Sequence, residues 1–202
     1  MALLLSIAIP MTALYLLFLA WYGGNGKPLS AQEIERFMAE IAERNTAQDM
    51  VNEIQTLIAK DDGKEFVMVN LARDRPKAMY PPGYDYDDNA RAADIRYGKA
   101  IVWPLLRQAS MPVFIARRTG SFIEPEGADA WHYVAMVRYR SRRDFLKFAL
   151  AIDRDDIVVH KWAALEKTHV FPVKPLVSLI YVRFLVFAVL ALAASALFLA
   201  AR

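Results

Sequence analysis

Two apolar runs stand at the extreme ends of this 202-residue chain, Met1 to Tyr22 and Leu176 to Ala201. They leave the polar chain between them few architectures. Either run is long enough to cross a bilayer, since about 20 apolar residues rising about 1.5 Å each cover a hydrocarbon core of about 30 Å. The first carries no charge, and its mildly polar Ser6 and Thr12 can return their hydroxyls to the helix. Pro10 introduces a kink of the kind that neighbouring helices absorb. Trp21 and Tyr22 close the run where aromatic rings favour the headgroup layer. Gly23, Gly24, Asn25, Gly26 and Pro28 then break the helix. A cleaved signal peptide is the rival reading, but the start carries no Lys or Arg and no small-residue cleavage site follows. In the second run Arg183 lies near the beginning, so its long side chain can extend to the interface. Ala191 with Ser195, and Ala196 with Ala200, have the spacing that lets helix backbones approach.

Lys27 and Arg36 follow the first run, and Lys161, Lys167 and Lys174 precede the second, whereas the outer ends offer only the terminal amine and Arg202. The positive-inside rule then places the central region in the cytoplasm and both termini on the far side. The expected location is a bacterial inner membrane. Averages over the whole chain, 56% hydrophobic with a net charge of +3, conceal this division. Without the two runs, 23 basic residues face 22 acidic ones, and so balanced a domain offers no broad field to nucleic acid. The absence of cysteine excludes disulfides and thiolate metal sites.

The reading divides the chain into a transmembrane helix over 1–22, a linker with amphipathic helices over 23–64, an α+β domain over 65–175, and a second transmembrane helix over 176–202. Ser30 and Glu33 have capping-box spacing before Ile34, Phe37, Met38 and Ile41. After a break at Asn45 and Thr46, Met50, Val51, Ile54, Leu57 and Ile58 mark a second helix. Glu65 to Arg73 alternates as a strand, with Val67, Val69 and Leu71 on one face and Phe66, Met68 and Asn70 on the other. A Pro-Gly-Tyr loop follows, and Asp87 or Asp88 is expected to cap a long helix through Ala93, Tyr97, Ile101 and Leu105 that Pro104 bends or ends. Pro112 to Phe122 and Trp131 to Tyr139 read as paired strands. Ser141 and Asp144 cap another helix, a further helical segment begins after Asp156, and Thr168 to Val173 returns as a last strand. Strand, helix, strand, strand, helix, strand is the split βαβ order, an antiparallel sheet covered by helices on one face. Its other face needs a cover, and a second copy of the chain is one solution.

FVMVNLARD, the Tyr-rich loop, WHYVAMVRYRSRRDFLKF and HKWAALEKTHVFPV resemble the dimeric α+β barrel superfamily, of ferredoxin-like fold, and within it a small uncharacterised family. The likeness runs from about Glu65 to Val173 and does not include the terminal runs or the leading helices. It implies a paired sheet. Relatives in the superfamily include cofactor-free oxygenases, isomerases, haem enzymes and non-catalytic modules, so the likeness speaks to fold rather than to chemistry.

The residues able to carry chemistry are few. His132 and His160 are the acid-base candidates, because only histidine ordinarily titrates near neutral pH; Tyr80 and Arg138 complete the catalytic set. Neither histidine has a partner legible in the sequence, and each has a plain alternative as a hydrogen-bonded structural residue. Asn70, Arg73, Tyr80, Tyr84, Tyr97 and Arg117 are candidates to line a pocket between sheet and helices for a lipophilic small molecule. Arg142 and Arg143 fall in the first turn of a helix, where positive charge opposes the dipole. A carboxylate network, a lipid headgroup or an anionic ligand would resolve that conflict, and solvated arginines paired with acids are the ordinary outcome.

No dinucleotide fingerprint or Walker motif is present, and GGNGK reads as the flexible exit from the first apolar run. Three scattered histidines do not fit a zinc spacing, Asp85, Asp87 and Asp88 lack an EF-hand continuation, and no G-x-S-x-G occurs. No cofactor or metal is expected. The function so indicated is that of a membrane-anchored binding or accessory protein, a homodimer or a subunit of a membrane complex. The alternative is a membrane-tethered, cofactor-independent oxygenase or isomerase acting on a lipophilic molecule.

Overall fold

A computed structural model describes the backbone of residues 2–44, 46–178 and 182–200, and the side chains among these except those of 2–5, 8 and 182–184. The expected break at Asn45 and the depth of Arg183 lie outside the described set. Helix α1 spans Ala2–Gly23 and α7 spans Val182–Ala200. Their described side chains, over 9–23 and 185–200, are uncharged and almost all exposed. Ser195 turns its hydroxyl back to the Ala191 carbonyl, 2.8 Å away. Among the described residues no helix is long and apolar enough to cross a membrane, so the two expected spans rest on the sequence.

Between them lie α2 (Ala31–Ala42), α3 (Gln48–Ala59), β1 (Phe66–Asp74), α4 (Ala90–Arg107), β2 (Met111–Arg117), β3 (Tyr133–Tyr139), α5 (Arg142–Ile152), α6 (Asp155–Ala164) and β4 (Leu165–Val173). The capping box forms as expected, with Ser30 accepting from the Glu33 amide and Glu33 from the Ser30 amide. The cap of α4 is Asn89, whose Oδ1 accepts from Ala92 at 3.0 Å, rather than Asp87 or Asp88. Both aspartates are engaged elsewhere, Asp87 with Arg96 at 3.0 Å and Asp88 with Lys77 at 2.7 Å. Pro104 lies in the last turn of α4, and the helix continues to Arg107 although the proline offers no N–H to the Ala100 carbonyl. Strand β2 stops at Arg117, short of Phe122, where Arg118 and Ser121 both bind Glu124 and fold the chain into a loop.

The sheet runs β2-β3-β1-β4 with every neighbouring pair antiparallel. Strands β1 and β2 therefore run parallel with β3 inserted between them, which is the ferredoxin-like split βαβ arrangement. Phe66, Met68, Leu105, Tyr139, Phe148 and Leu57 form the main core beneath the helices. A second cluster of small residues, Ala72, Ala93, Ala163 and Ala164 with Leu165, lets α4 and α6 approach the far end of the sheet closely.

Strand alternation sends Val67, Val69 and Leu71 to the side opposite these helices, together with Val134 and Met136 of β3, Phe114 of β2 and Phe171 of β4, by the observed registers. Among the described residues no helix packs broadly on this face; Val67 and Val69 are nevertheless buried in it, while Phe114 is 37% exposed. Register also fixes the two exits: Val67 lies opposite Arg138 on β3 and opposite Val173, the last residue of β4. The end of α1 is held at Arg138, so the chain enters from α1 and leaves β4 at the same end of the sheet.

Candidate functional site

The Tyr-rich loop between β1 and α4 folds over α6 and brings Tyr80 to His160, two of the residues the sequence nominates. Tyr80 Oη lies 2.9 Å from His160 Nδ1, and Arg96 donates to the same oxygen at 3.3 Å. An oxygen that accepts from Arg96 is free to send its own proton toward His160. Nδ1 is then the acceptor and the imidazole proton resides on Nε2. His160 is buried, and burial followed by the nearby positive charge of Arg96 pulls its pKa below the ordinary value. Arg96, the Tyr80 hydroxyl and His160 thus form one short hydrogen-bonded chain.

Tyr86 stacks beneath Arg96, 4.8 Å from ring centroid to guanidinium, and presents its edge to His160 at 5.0 Å. Arg96 and Tyr86 were not legible as site residues. Their one sequence signal is spacing, since Arg96 precedes Tyr97 by one residue and follows Ala93 by three on the inward side of α4. Beside His160, Lys161 reaches over the ring of Tyr97 at 6.0 Å. Burial lowers the pKa of Lys161, and burial with the charge of Asp94 pushes Tyr97 up to about 12. Asp94 is itself raised by burial, and it accepts from Tyr133 at 3.2 Å.

The remaining candidates do not converge on this hydrogen-bonded chain. His132 lies just before β3 and is half exposed; its Nδ1 accepts from the Asp74 amide at 3.1 Å and lies 3.8 Å from the Asp74 carboxylate. Asn70 spends its amide on the carbonyls of Met68 and Ala135. Arg73 emerges on the sheet face away from the helices and pairs with Glu166 at 3.0 Å, so the six residues expected to line one pocket divide between two faces. Arg117 pairs with Asp74 at 3.7 Å and borders two open grooves, of about 670 and 420 Å³. Neither groove is lined by Tyr80, His160 or Tyr97. Among the described residues no three His, Asp or Glu side chains are arranged to hold a metal ion.

The arginine cluster is occupied from within the chain. Arg138, only 4% exposed, donates to Glu65, to the Ala109 carbonyl at 2.8 Å and to the Tyr22 carbonyl at 2.9 Å. Arg140 donates to the Trp21 carbonyl at 2.8 Å and grips Asp144 with both arms. Arg143 binds Glu33 and the carbonyls of Lys27 and Pro28, and Arg142 reaches Asp62 at 3.1 Å. The conflict at the start of α5 is thus resolved by a carboxylate network. These side chains cap the end of α1 and strap its exit loop to the sheet. Hydrogen bonds from Arg143 and Lys174 respectively are the leading reasons that Glu33 and Asp62 each have a pKa of about 2.

The same fold occurs among solved structures. A protein of unknown function from Rhodopseudomonas palustris superposes with a TM-score of 0.54 at 23% identity, over 66% of this chain and 97% of that one. Its methylated form gives 24% identity and the same TM-score, over 66% of this chain and 94% of the other. A dabb family protein with a ferredoxin-like fold from Mesorhizobium loti is 12% identical, with a TM-score of 0.34 over 56% of this chain and 98% of that one. No protein family and no curated protein matches the sequence. At 23–24% identity the likeness to the Rhodopseudomonas palustris protein shows a shared fold and nothing of activity.

Proposed function

We propose that this chain is a membrane-anchored binding protein. Its α+β domain is held at the cytoplasmic surface by α1 and α7, and it pairs through its open sheet face with a second copy or with a subunit of a membrane complex. The observation that carries the reading is the common end of attachment: Arg138, which caps α1, and Val173, which ends β4, both lie opposite Val67. Two apolar helices leaving one end of a small domain enter one bilayer without the chain having to pass around the sheet. The apolar face formed by Leu71, Met136, Phe114 and Phe171 supplies the pairing surface, in the manner of a dimeric α+β barrel. Tested on the full chain, the reading requires retention in membranes through an alkaline carbonate wash and a detergent-solubilised mass above that of one 22.9 kDa chain. Release by the wash overturns the anchor, and a monomeric mass without a partner overturns the pairing.

The hydrogen-bonded chain of Tyr80, His160 and Arg96 favours a second reading, a tethered enzyme that moves a proton on a lipophilic substrate, of the isomerase or cofactor-independent oxygenase kind. Tyr80→Phe removes the proton donor while keeping the ring, so loss of turnover with an unchanged fold supports that reading.

A further inference from the structure

We propose that the last two turns of α4 lie in the headgroup layer of the bilayer that the terminal helices enter, so that the domain rests on lipid by a fixed face instead of hanging from two tethers. The inference deepens the membrane-anchored reading and rests on it.

Val102, Trp103 and Leu106 form one ridge on α4 and are 48%, 65% and 36% exposed, while the opposite side of the helix buries Ala93 and Leu105. An apolar ridge with a tryptophan 65% exposed calls for a cover. Its position identifies the cover. One guanidinium, that of Arg138, donates both to Tyr22 at the end of α1 and to Ala109 just past the end of α4. Two carbonyls sharing a donor in this way are within about 6 Å of each other. Leu106 is one turn from Ala109 and Trp103 less than two, so both are at the level at which α1 leaves the apolar phase.

Trp21 and Tyr22 mark that level as the aromatic layer, where an indole buries its ring and keeps its N–H wet. Arg107, in the last turn of α4, places a cation beside the ridge where lipid phosphates would lie and where it complements the helix dipole. A second copy of the chain has a different and larger apolar surface to use, the open sheet face, on the other side of the sheet from α4.

The test uses the full chain in vesicles of phosphatidylcholine and phosphatidylglycerol, with brominated phosphatidylcholine as the quencher. Of the four tryptophans, one is kept in each of three proteins, Trp21, Trp103 or Trp131, and the others are replaced by Phe. Trp131 lies at the opposite end of the sheet, since the adjoining His132 amide binds Ala72. The expectation is that emission from Trp21 and Trp103 falls by about half and that from Trp131 by less than about a tenth. Quenching of Trp21 with Trp103 as unaffected as Trp131 overturns the seating of α4 while leaving the anchor intact; a protein partner or a second copy then covers the ridge. An unquenched Trp21 overturns the anchor and the seating together. The Trp103 reading itself comes from a protein that keeps the native indole there, and Phe stands in for Trp103 only in the Trp21 and Trp131 reference proteins.

Discussion

The guanidinium of Arg138 lies 3.5 Å above the ring of Tyr22 while donating to the Tyr22 carbonyl at 2.9 Å. One strand side chain thereby stacks on the last aromatic residue of α1 and caps its backbone. The C-terminal carbonyls of a helix lack partners of their own, and here the folded domain supplies them. The apolar helix and the sheet are therefore a mechanical unit.

Arg138→Met leaves the carbonyls of Tyr22 and Ala109 without their donor and Glu65 without its partner. Glu65 is half exposed and rehydrates, so the expected loss is about 2 kcal/mol, below the figure for breaking a fully buried pair. Arg138→Lys recovers only part of it, since a single ammonium cannot fork to three acceptors. Thermal unfolding in mild detergent measures both, and equal stability of all three proteins counts against the cap.

Lowered in the fold, the His160 pKa makes stability depend on pH in a definite direction. Below about 6.5 the unfolded chain takes up a proton that the folded chain resists, so stability present near neutrality declines as pH falls toward the folded pKa. His160→Gln should flatten the melting temperature between about pH 7 and pH 5. The paired carboxylates act in a lower window: Glu33 and Asp62, with pKa values near 2, lend stability above their ordinary values of 4.5 and 3.8 that disappears as pH falls toward about 2. A slope that persists through the upper window in the Gln variant assigns it to another group.

Gly63 has φ +70°, and a Cβ there would lie 2.4 Å from the Lys27 backbone. This close approach, together with Leu29 donating to Asp61 at 2.6 Å, packs the exit loop of α1 on the turn before β1. Gly63→Ala combines left-handed strain of about 1 kcal/mol with a backbone clash that must move the loop, for a total loss of about 2 kcal/mol or more. Denaturation midpoints, with Gly120→Ala as a control in open space, decide it.

Met136 projects from a central strand into the open face of the sheet. Met136→Glu places a charge where a second sheet would pack, and the paired form should fall to a monomer with its secondary structure intact. Native mass spectrometry from detergent reads the outcome. A wild-type complex whose mass survives the substitution assigns pairing to another surface.

Much of this protein was written in local pattern. The capping box at Ser30 and Glu33, the alternation from Phe66 to Ala72, the order of strands and helices and the apolar runs at both ends all follow from neighbours a few residues apart, where helix and strand periods act directly. The same locality explains the failures. Asp87 and Asp88 are as good caps as Asn89 by type, and only the positions of Arg96 and Lys77 decided which was free to serve. Tyr80 and His160 were nominated separately, by residue type, yet 80 residues separate them and no spacing rule pairs them; the fold of the loop over α6 did, adding Arg96 and Tyr86. The arginines from 138 to 143 were read as paired with acids, and they are, but which acids was not legible, because charge is visible in a sequence and its partner is not. Glu65, Asp61, Asp62, Glu33 and the carbonyls at the end of α1 reach them only once the sheet has closed, since long-range pairing depends on the whole chain's register and not on any segment's propensity.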